Sequence, residues 1–277
     1  MRFYLGSHHP GWLARTDKPL FVSDVRLSPY RSLPRAIGRW ALDSGGFSML
    51  SVHGTWEAGP TPAQYAARVR RYAEEIGGLD WAAPQDWMCE PFIVAKTGLT
   101  VAEHQRRTVG NYLELCSLAP DVPFAPVLQG FDLADYERCA QLYERAGVDL
   151  KAARIVGVGS VCRRQGTTDA AAIMRALTEH LPGIQLHGFG VKTTGLADYG
   201  ALLASADSMA WSFSARHQPP LPGCTTHKNC ANCLRYALQW RTKVLAGIGG
   251  HHPAPARARR RSVDPSQLTL FDLGSAA

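Results

Sequence analysis

The sequence has no apolar run near the ~20 residues that a membrane-spanning helix needs, and its opening, "MRFYLGSHHPGW", has no apolar signal core. Both absences point to a cytoplasmic protein. Acidic residues are few relative to basic ones, 23 against 30, for a formal net charge of +7. Such a balance favours polyanionic partners, nucleic acid among them, and leaves the fold open. Part of it is local: Arg257, Arg259, Arg260 and Arg261 crowd into "PARARRRS", a run suited to a solvated linker or to phosphate contact. The cysteine count, seven, is odd, which argues against a disulfide framework. Cys89, Cys116, Cys139 and Cys162 are scattered through apolar or helical contexts and read as buried thiols. No internal repeat is visible.

What is present alternates. Short apolar runs at 2–6, 20–24, 40–44, 79–86, 124–130, 154–160, 186–191 and 208–213 read as strands, most ending in Gly, Asp or Ser. Near-continuous apolar strands suggest burial on both faces, as in a parallel sheet. Helical patterns lie between them. In "TPAQYAARVRRYAEEIGG", Tyr65, Val69, Tyr72 and Ile76 recur at helical spacing behind a Thr61 cap and Pro62. Further helices fit 100–117, 133–146, 168–181, 195–205 and 231–246, the second of these stopping at Gly147. Eight strands with intervening helices in 277 residues predict an α/β fold, a (β/α)8 TIM barrel, over a doubly wound sheet. The expected division is a barrel over 1–247 including a small cysteine-rich module at 222–246, a basic Gly/Pro/Arg linker at 248–265, and a short peptide at 266–273.

In a barrel the C-terminal ends of the strands share one mouth, where active sites sit. Here those ends carry Asp43, Asp86, Gln129, Gly157, Gly159 and Lys192, with Asp207 beside the last strand. A lone acid there is commonly a helix cap. Several on one rim repel and must be held together by something. Carboxylates accept well from guanine N1 and N2, a glycine N–H can serve O6, and a further carboxylate can attack a sugar C1′ or carry protons. Asp43 is followed by Gly45 and Gly46, which permit a sharp turn and leave room for a flat base.

Cys224, His227, Cys230 and Cys233 follow a C-x2-H-x2-C-x2-C pattern, which suits tetrahedral Zn2+. Four protein ligands leave no open position, so the expected role is structural. The helix that follows can lay Leu234, Leu238 and Leu245 on the barrel.

Five segments in this order, "LDSGGFSML", "DWAAPQDW", "PVLQG", "VGVGSV" and "ADSMAWSFSAR", resemble the tRNA-guanine transglycosylase superfamily. "PQDWMCEP", "GVGSVCRRQ", "LHGFGVKT" and "CTTHKNCANC" are closer to its phage and bacterial branch, which places 7-deazaguanines in DNA. The similarity spans roughly 1–246. It implies exchange of guanine in DNA for a base such as preQ0 through a covalent aspartyl-sugar intermediate. It casts Asp43 and Asp207 as catalytic, and Asp86, Gln129, Gly157, Gly159, Lys192 and Arg216 as substrate contacts. An alignment anchored on Arg216 sets Ala210 at the place of the superfamily's nucleophilic aspartate and leaves Asp207 three residues upstream. The tRNA enzymes take their zinc histidine from farther along the chain, which makes His251 or His252 alternatives to His227. Exchange on tRNA, or an inactive zinc-containing nucleic-acid-binding protein, are the other functions compatible with these residues.

Near the C-terminus "QLTLF" resembles the peptide by which bacterial replication and repair proteins bind the sliding clamp. Gln267, Leu268, Leu270 and Phe271 would be its contacts. A clamp partner favours DNA as the substrate.

Overall fold

The computed structural model describes residues 1–162 and 168–248. Its strands are β1 (Arg2–Ser7), β2 (Leu20–Ser23), β3 (Trp40–Asp43), β4 (Leu79–Ala82), β5 (Val127–Leu128), β6 (Val156–Val158), β7 (Leu186–Gly188) and β8 (Ser205–Ser208). The helices are α1 (Asp24–Leu27), α2 (Gly46–His53), α3 (Pro62–Glu75), α4 (Pro91–Thr97), α5 (Val101–Leu118), α6 (Leu133–Arg145), α7 (Thr168–His180), α8 (Thr193–Tyr199), α9 (Ala210–Arg216) and α10 (Leu234–Ile248). The strands form one parallel sheet in the order β4-β3-β2-β1-β8-β7-β6-β5. Its two edges meet at a parallel bridge between Ala82 and Phe124, where Ala125 N–H donates to the Ala82 carbonyl at 2.9 Å. The predicted α/β barrel is therefore observed. Among the described residues no helix is long and apolar enough to cross a membrane.

Strand periodicity sorts the side chains. Leu5, Leu20, Val22, Trp40 and Leu42 face outward into a core shared with α3 residues Tyr65, Val69 and Tyr72. Val156, Val158, Leu186 and Ala206 do the same on the other side of the ring, against Ile173 and Met174 of α7. The inward residues Tyr4, Phe21, Trp81 and Ile155 fill the bore with Phe189 against them. Local signals set the helix ends: Thr61 and Gln64 form a capping box on α3, Asp132 and Asp135 another on α6, and Gly147 takes φ 81° after it.

Some expected boundaries move. The run 208–213 is not the last strand. β8 is Ser205–Ser208, and most of "SMAWSF" starts α9, whose Trp211 turns to the wall and donates Nε1–H to the Gly6 carbonyl at 2.9 Å. The helix expected over 195–205 runs from Thr193 to Tyr199, and a 3-10 turn at Gly200–Leu202 frees Ser205 to begin the strand. α2 and α4 form in stretches without a clear helical pattern. The linker and terminal peptide, with His251, His252, the Arg257–Arg261 run and Gln267, Leu268, Leu270 and Phe271, lie outside the described residues, save that α10 extends to Ile248.

One buried acid organises the N-terminal end of the ring. The β3–β4 register shifts so that Asp80 is an extra residue between Leu79 and Trp81. This bulge lets Asp80 as well as Trp81 reach the bore. Asp80 is 1% exposed and accepts from Tyr4 Oη at 2.8 Å and from Arg2, Arg39 and Arg154 at 2.6, 2.6 and 3.3 Å. Removing the carboxylate leaves those donors without it, and Asp80→Ala is expected to cost about 3 kcal/mol. A urea midpoint unchanged from wild type would contradict this.

Candidate active site and candidate metal centre

The same alternation that fills the bore aims a polar set at its C-terminal end. Asp43 follows the inward Ala41 on β3, and Ser23 lies opposite it in register on β2. Asp207 pairs with the inward Tyr4 across β1 and β8. Gln129 follows β5 and is fully buried. The acids feel one another. Desolvation raises the Asp43 carboxyl above its usual range, and the charge on Asp207 raises it further, offset in part by the Gly45 N–H that donates to Oδ1 at 3.0 Å. Desolvation also lifts Asp86 to about 7, against the Gln129 hydrogen bond and reinforced by the charges of Asp43 and Glu90.

Asp86 is held by backbone shape. Gly45, at φ 83°, is the N-cap of α2, and a Cβ on Gly46 would stand 2.9 Å from Asp86 Oδ1. The space beside Gly46 therefore holds the Asp86 carboxylate, and that beside Gly45 holds the Val25 side chain. Trp56 Nε1–H donates to the Asp86 carbonyl at 3.0 Å. Gln129 Nε2–H donates to Asp86 Oδ2. Gln129 Oε1 lies 2.7 Å from Ser160 Oγ, which also contacts Glu90 Oε2 at 2.9 Å and accepts from the Cys89 N–H at 2.8 Å.

Ser160 and Glu90 lie within the segments "VGVGSV" and "PQDWMCEP" but are not singled out by them. Ser160 is 3% exposed and has φ 56°, a region uncommon for a residue with a Cβ. Its sequence signal lies in "VGVGSV", where the glycines dominate. A Cβ at Gly159 would overlap the Gln129 side chain, so this glycine is needed for close approach. The glycine N–H groups expected to serve a base are already committed: Gly157 donates to the Pro126 carbonyl at 2.8 Å and Gly159 to the Leu128 carbonyl at 3.0 Å. Both N–H groups thus belong to the sheet ladder.

Asp207 Oδ1 accepts from the Gly190 N–H at 2.9 Å. Beneath it His187 is fully buried, with Nδ1 2.8 Å from Ser205 Oγ and Nε2 3.4 Å from Asp207 Oδ1, at an angle that makes no hydrogen bond. Ala210 is the first residue of α9, past the strand. Lys192 is exposed at the cap of α8, and Arg216 is exposed at the end of α9.

On the outer wall, Cys224, His227, Cys230 and Cys233 place one ligand atom each within 4.8 Å of all the others. The Cys224 and Cys233 sulfurs are 3.9 Å apart, and His227 Nε2 is 3.3 Å from Cys230 Sγ. Metal–sulfur bonds of ~2.3 Å at tetrahedral angles place two sulfurs roughly 3.8 Å apart. The four side chains can therefore hold a metal ion. Leu221 N–H points at Cys230 Sγ and Arg235 at Cys224 Sγ, donors that suit thiolates. Leu234 and Leu238 pack on the core near Trp40, and Leu245 on that near Phe3.

The family model described as DpdA, DeoxyPurine in DNA protein A, matches residues 1–262. No curated protein matches the chain.

The Asp86 environment makes stability depend on pH. Below about pH 3 the carboxyl is protonated in folded and unfolded chains alike. As the pH rises toward 7 the unfolded chain releases a proton that the folded chain retains, so stability falls through that window. Asp86→Asn is expected to be more stable than wild type above pH 7, by on the order of 2 kcal/mol, and to lose most of that advantage near pH 4. Thermal midpoints of both proteins from pH 4 to 8 test this; a difference independent of pH would contradict it.

Proposed function

We propose, for a chain that belongs to the DpdA family, that it is a transglycosylase exchanging guanine in DNA for a 7-deazaguanine base such as preQ0. The observation that carries this reading is the convergence of Asp43, Asp86 and Asp207 on one desolvated rim, where their charges act on each other. The target guanine leaves the base stack at a cost of a few kcal/mol. Asp86 as the carboxylate accepts from its N1–H and N2–H, and Gln129 Nε2–H, aimed at the same place, offers the donor that O6 requires. Asp207 attacks C1′; the C1′–N9 bond breaks, and guanine departs with a proton delivered by Asp43. The incoming base gives its N9 proton to Asp43, N9 attacks C1′, and the aspartyl ester bond breaks. The backbone is never cut, and the proton count closes on Asp43, whose desolvation favours holding a proton.

The contact between Asp207 and the Gly190 N–H supports Asp207 as nucleophile over any group on α9, because it fixes one carboxylate oxygen and leaves the other for attack. Lys192 and Arg216 are proposed to meet the phosphates near the rim. Zn2+ is the proposed ion for the Cys3His set, since thiolates with an imidazole select it and no ligand position stays open for catalysis. Cys230 is fully buried against the barrel core, so the ion's contribution is to folding. The clamp is the proposed partner of the "QLTLF" peptide.

Purified protein given labelled guanine or preQ0 is expected to incorporate label into DNA and not into tRNA. Incorporation into tRNA alone, or into neither polymer, would refute the DNA reading. Asp207→Asn is expected to lower exchange at least ~1,000-fold and to abolish the protein–DNA adduct seen on denaturing gels. Rates should rise with pH through an inflection near 7 as Asp86 ionises. Elemental analysis is expected to find one zinc per chain, and chelation to lower the thermal midpoint; full stability in the zinc-free protein would rule out the structural role.

A further inference from the structure

A second feature of the C-terminal rim is used by neither the base contacts nor the metal loop. A cleft of about 380 Å³ is lined by His8, Val25, Arg26, Pro29 and Tyr30. Its place follows from the chain: His8 comes directly after β1, and Val25 and Arg26 belong to α1, directly after β2. A Cβ on Gly45 would lie 2.7 Å from Val25 Cγ2, and the Gly45 N–H binds Asp43. One side chain therefore separates the cleft from a proposed catalytic acid. The volume falls in the range of small-ligand clefts.

Its lining combines an aromatic face with cations. Tyr30 is 49% exposed and Val25 46%. The Tyr30 backbone is nevertheless clamped: its N–H donates to the Leu27 carbonyl at 3.0 Å, and its carbonyl accepts from Arg71 Nη1 and Nη2, each at 3.3 Å. Arg71 is itself fixed by the Arg31 carbonyl and by Glu75. An aromatic ring displayed from a fixed backbone loses little freedom when something lies against it. Arg26 lines the cleft, and the charges of Arg26 and of Arg216 at the end of α9 both act on His8. Among the described residues neither arginine forms an ion pair with a carboxylate. Burial first, then the charges of Arg26, His9 and Arg216, push His8 down to about 4, so it is a neutral hydrogen-bonding group at pH 7 and the guanidinium groups set the local potential.

We propose that this cleft binds the nucleotide next to the target guanine, its base stacked on Tyr30 and its phosphate against Arg26 and Arg216. This rests on the reading of the chain as a base exchanger on DNA. When the target leaves the stack, its neighbour loses a stacking partner. An aromatic side chain restores one with little preference for the base, and guanidinium groups hold the strand.

The test is a binding experiment on the full chain. 2-Aminopurine is placed on either side of the target guanine in a single-stranded oligodeoxynucleotide. Wild type is expected to quench its emission at one of the two positions. Tyr30→Ala should bind that oligonucleotide about tenfold more weakly, and Tyr30→Trp should recover the loss. With an abasic site in that position, wild type and Tyr30→Ala should bind equally. Arg26→Gln should reduce the slope of log affinity against log salt by about 0.7, the value for one phosphate contact on a single strand. Equal binding of wild type and Tyr30→Ala to the 2-aminopurine strands overturns the proposal. Because the readout needs no turnover, Tyr30-dependent binding without base exchange would remove the proposed activity and leave the cleft. Base exchange without Tyr30 dependence would remove the cleft alone.

Discussion

A plug of rings decides where polar groups can sit in this barrel. Trp81, His187 and Phe189 meet at centroid distances of 4.6 to 6.0 Å, and Tyr4 and Phe21 close around them. These rings stand between the two ends of the bore, and each end has its own electrostatics. At the N-terminal end the buried Asp80 meets three arginines and a tyrosine hydroxyl. At the C-terminal end the acids meet an amide, backbone N–H groups and each other. Among the described residues no lysine or arginine pairs with Asp43, Asp86 or Asp207. The same residue type is thereby an ion-pair anchor at one end and a proton-holding group at the other, and only the second arrangement suits acid–base chemistry.

The parts legible in the sequence are those in which one local signal agrees with the tertiary demand. Strands buried on both faces read as apolar runs, and α3 and α6 announce themselves through capping residues and glycine stops. Asp43 is legible for the same reason, since a carboxylate that closes an apolar run stands out against it. The last strand is not legible, because "SMAWSF" is more apolar than "SADS", yet Ser205 and Asp207 point into the bore and only Ala206 and Ser208 face the wall. A strand with polar inward residues has no apolar run to find. The Asp80 bulge is equally hidden, because an extra residue in a ladder shows in the register and not in composition. Ser160 is silent in the sequence because a positive φ cannot be read from a serine. The residue matters through its position: its hydroxyl joins Gln129, Glu90 and the Cys89 N–H. That network orients the Gln129 amide so that its nitrogen, and not its oxygen, faces Asp86. Left-handed backbone at such a place is strain retained by the surroundings.

The metal loop and the rim, far apart in chemistry, share a short mechanical path. Asp207 lies at the end of β8, and α9 begins three residues after it. Two bonds fix α9: Trp211 Nε1–H to the Gly6 carbonyl on β1, and Ser212 Oγ–H to the Ala231 carbonyl inside the metal loop, each at 2.9 Å. Cys230 and Ala231 are buried in the core that holds Trp12, Trp40 and Trp211. Of the four candidate ligands only Cys230 is buried; the proposed ion, by gathering all four, would add the cohesion that apolar packing of one thiol does not supply. With the loop formed, Ser212 has a fixed acceptor, α9 has a fixed angle, and the strand carrying Asp207 is clamped from behind. The arrangement explains why a site with no open coordination position should lie one short helix away from the proposed nucleophile. In the proposed reaction it would hold the strand that presents the carboxylate and take no part in the bond changes at C1′.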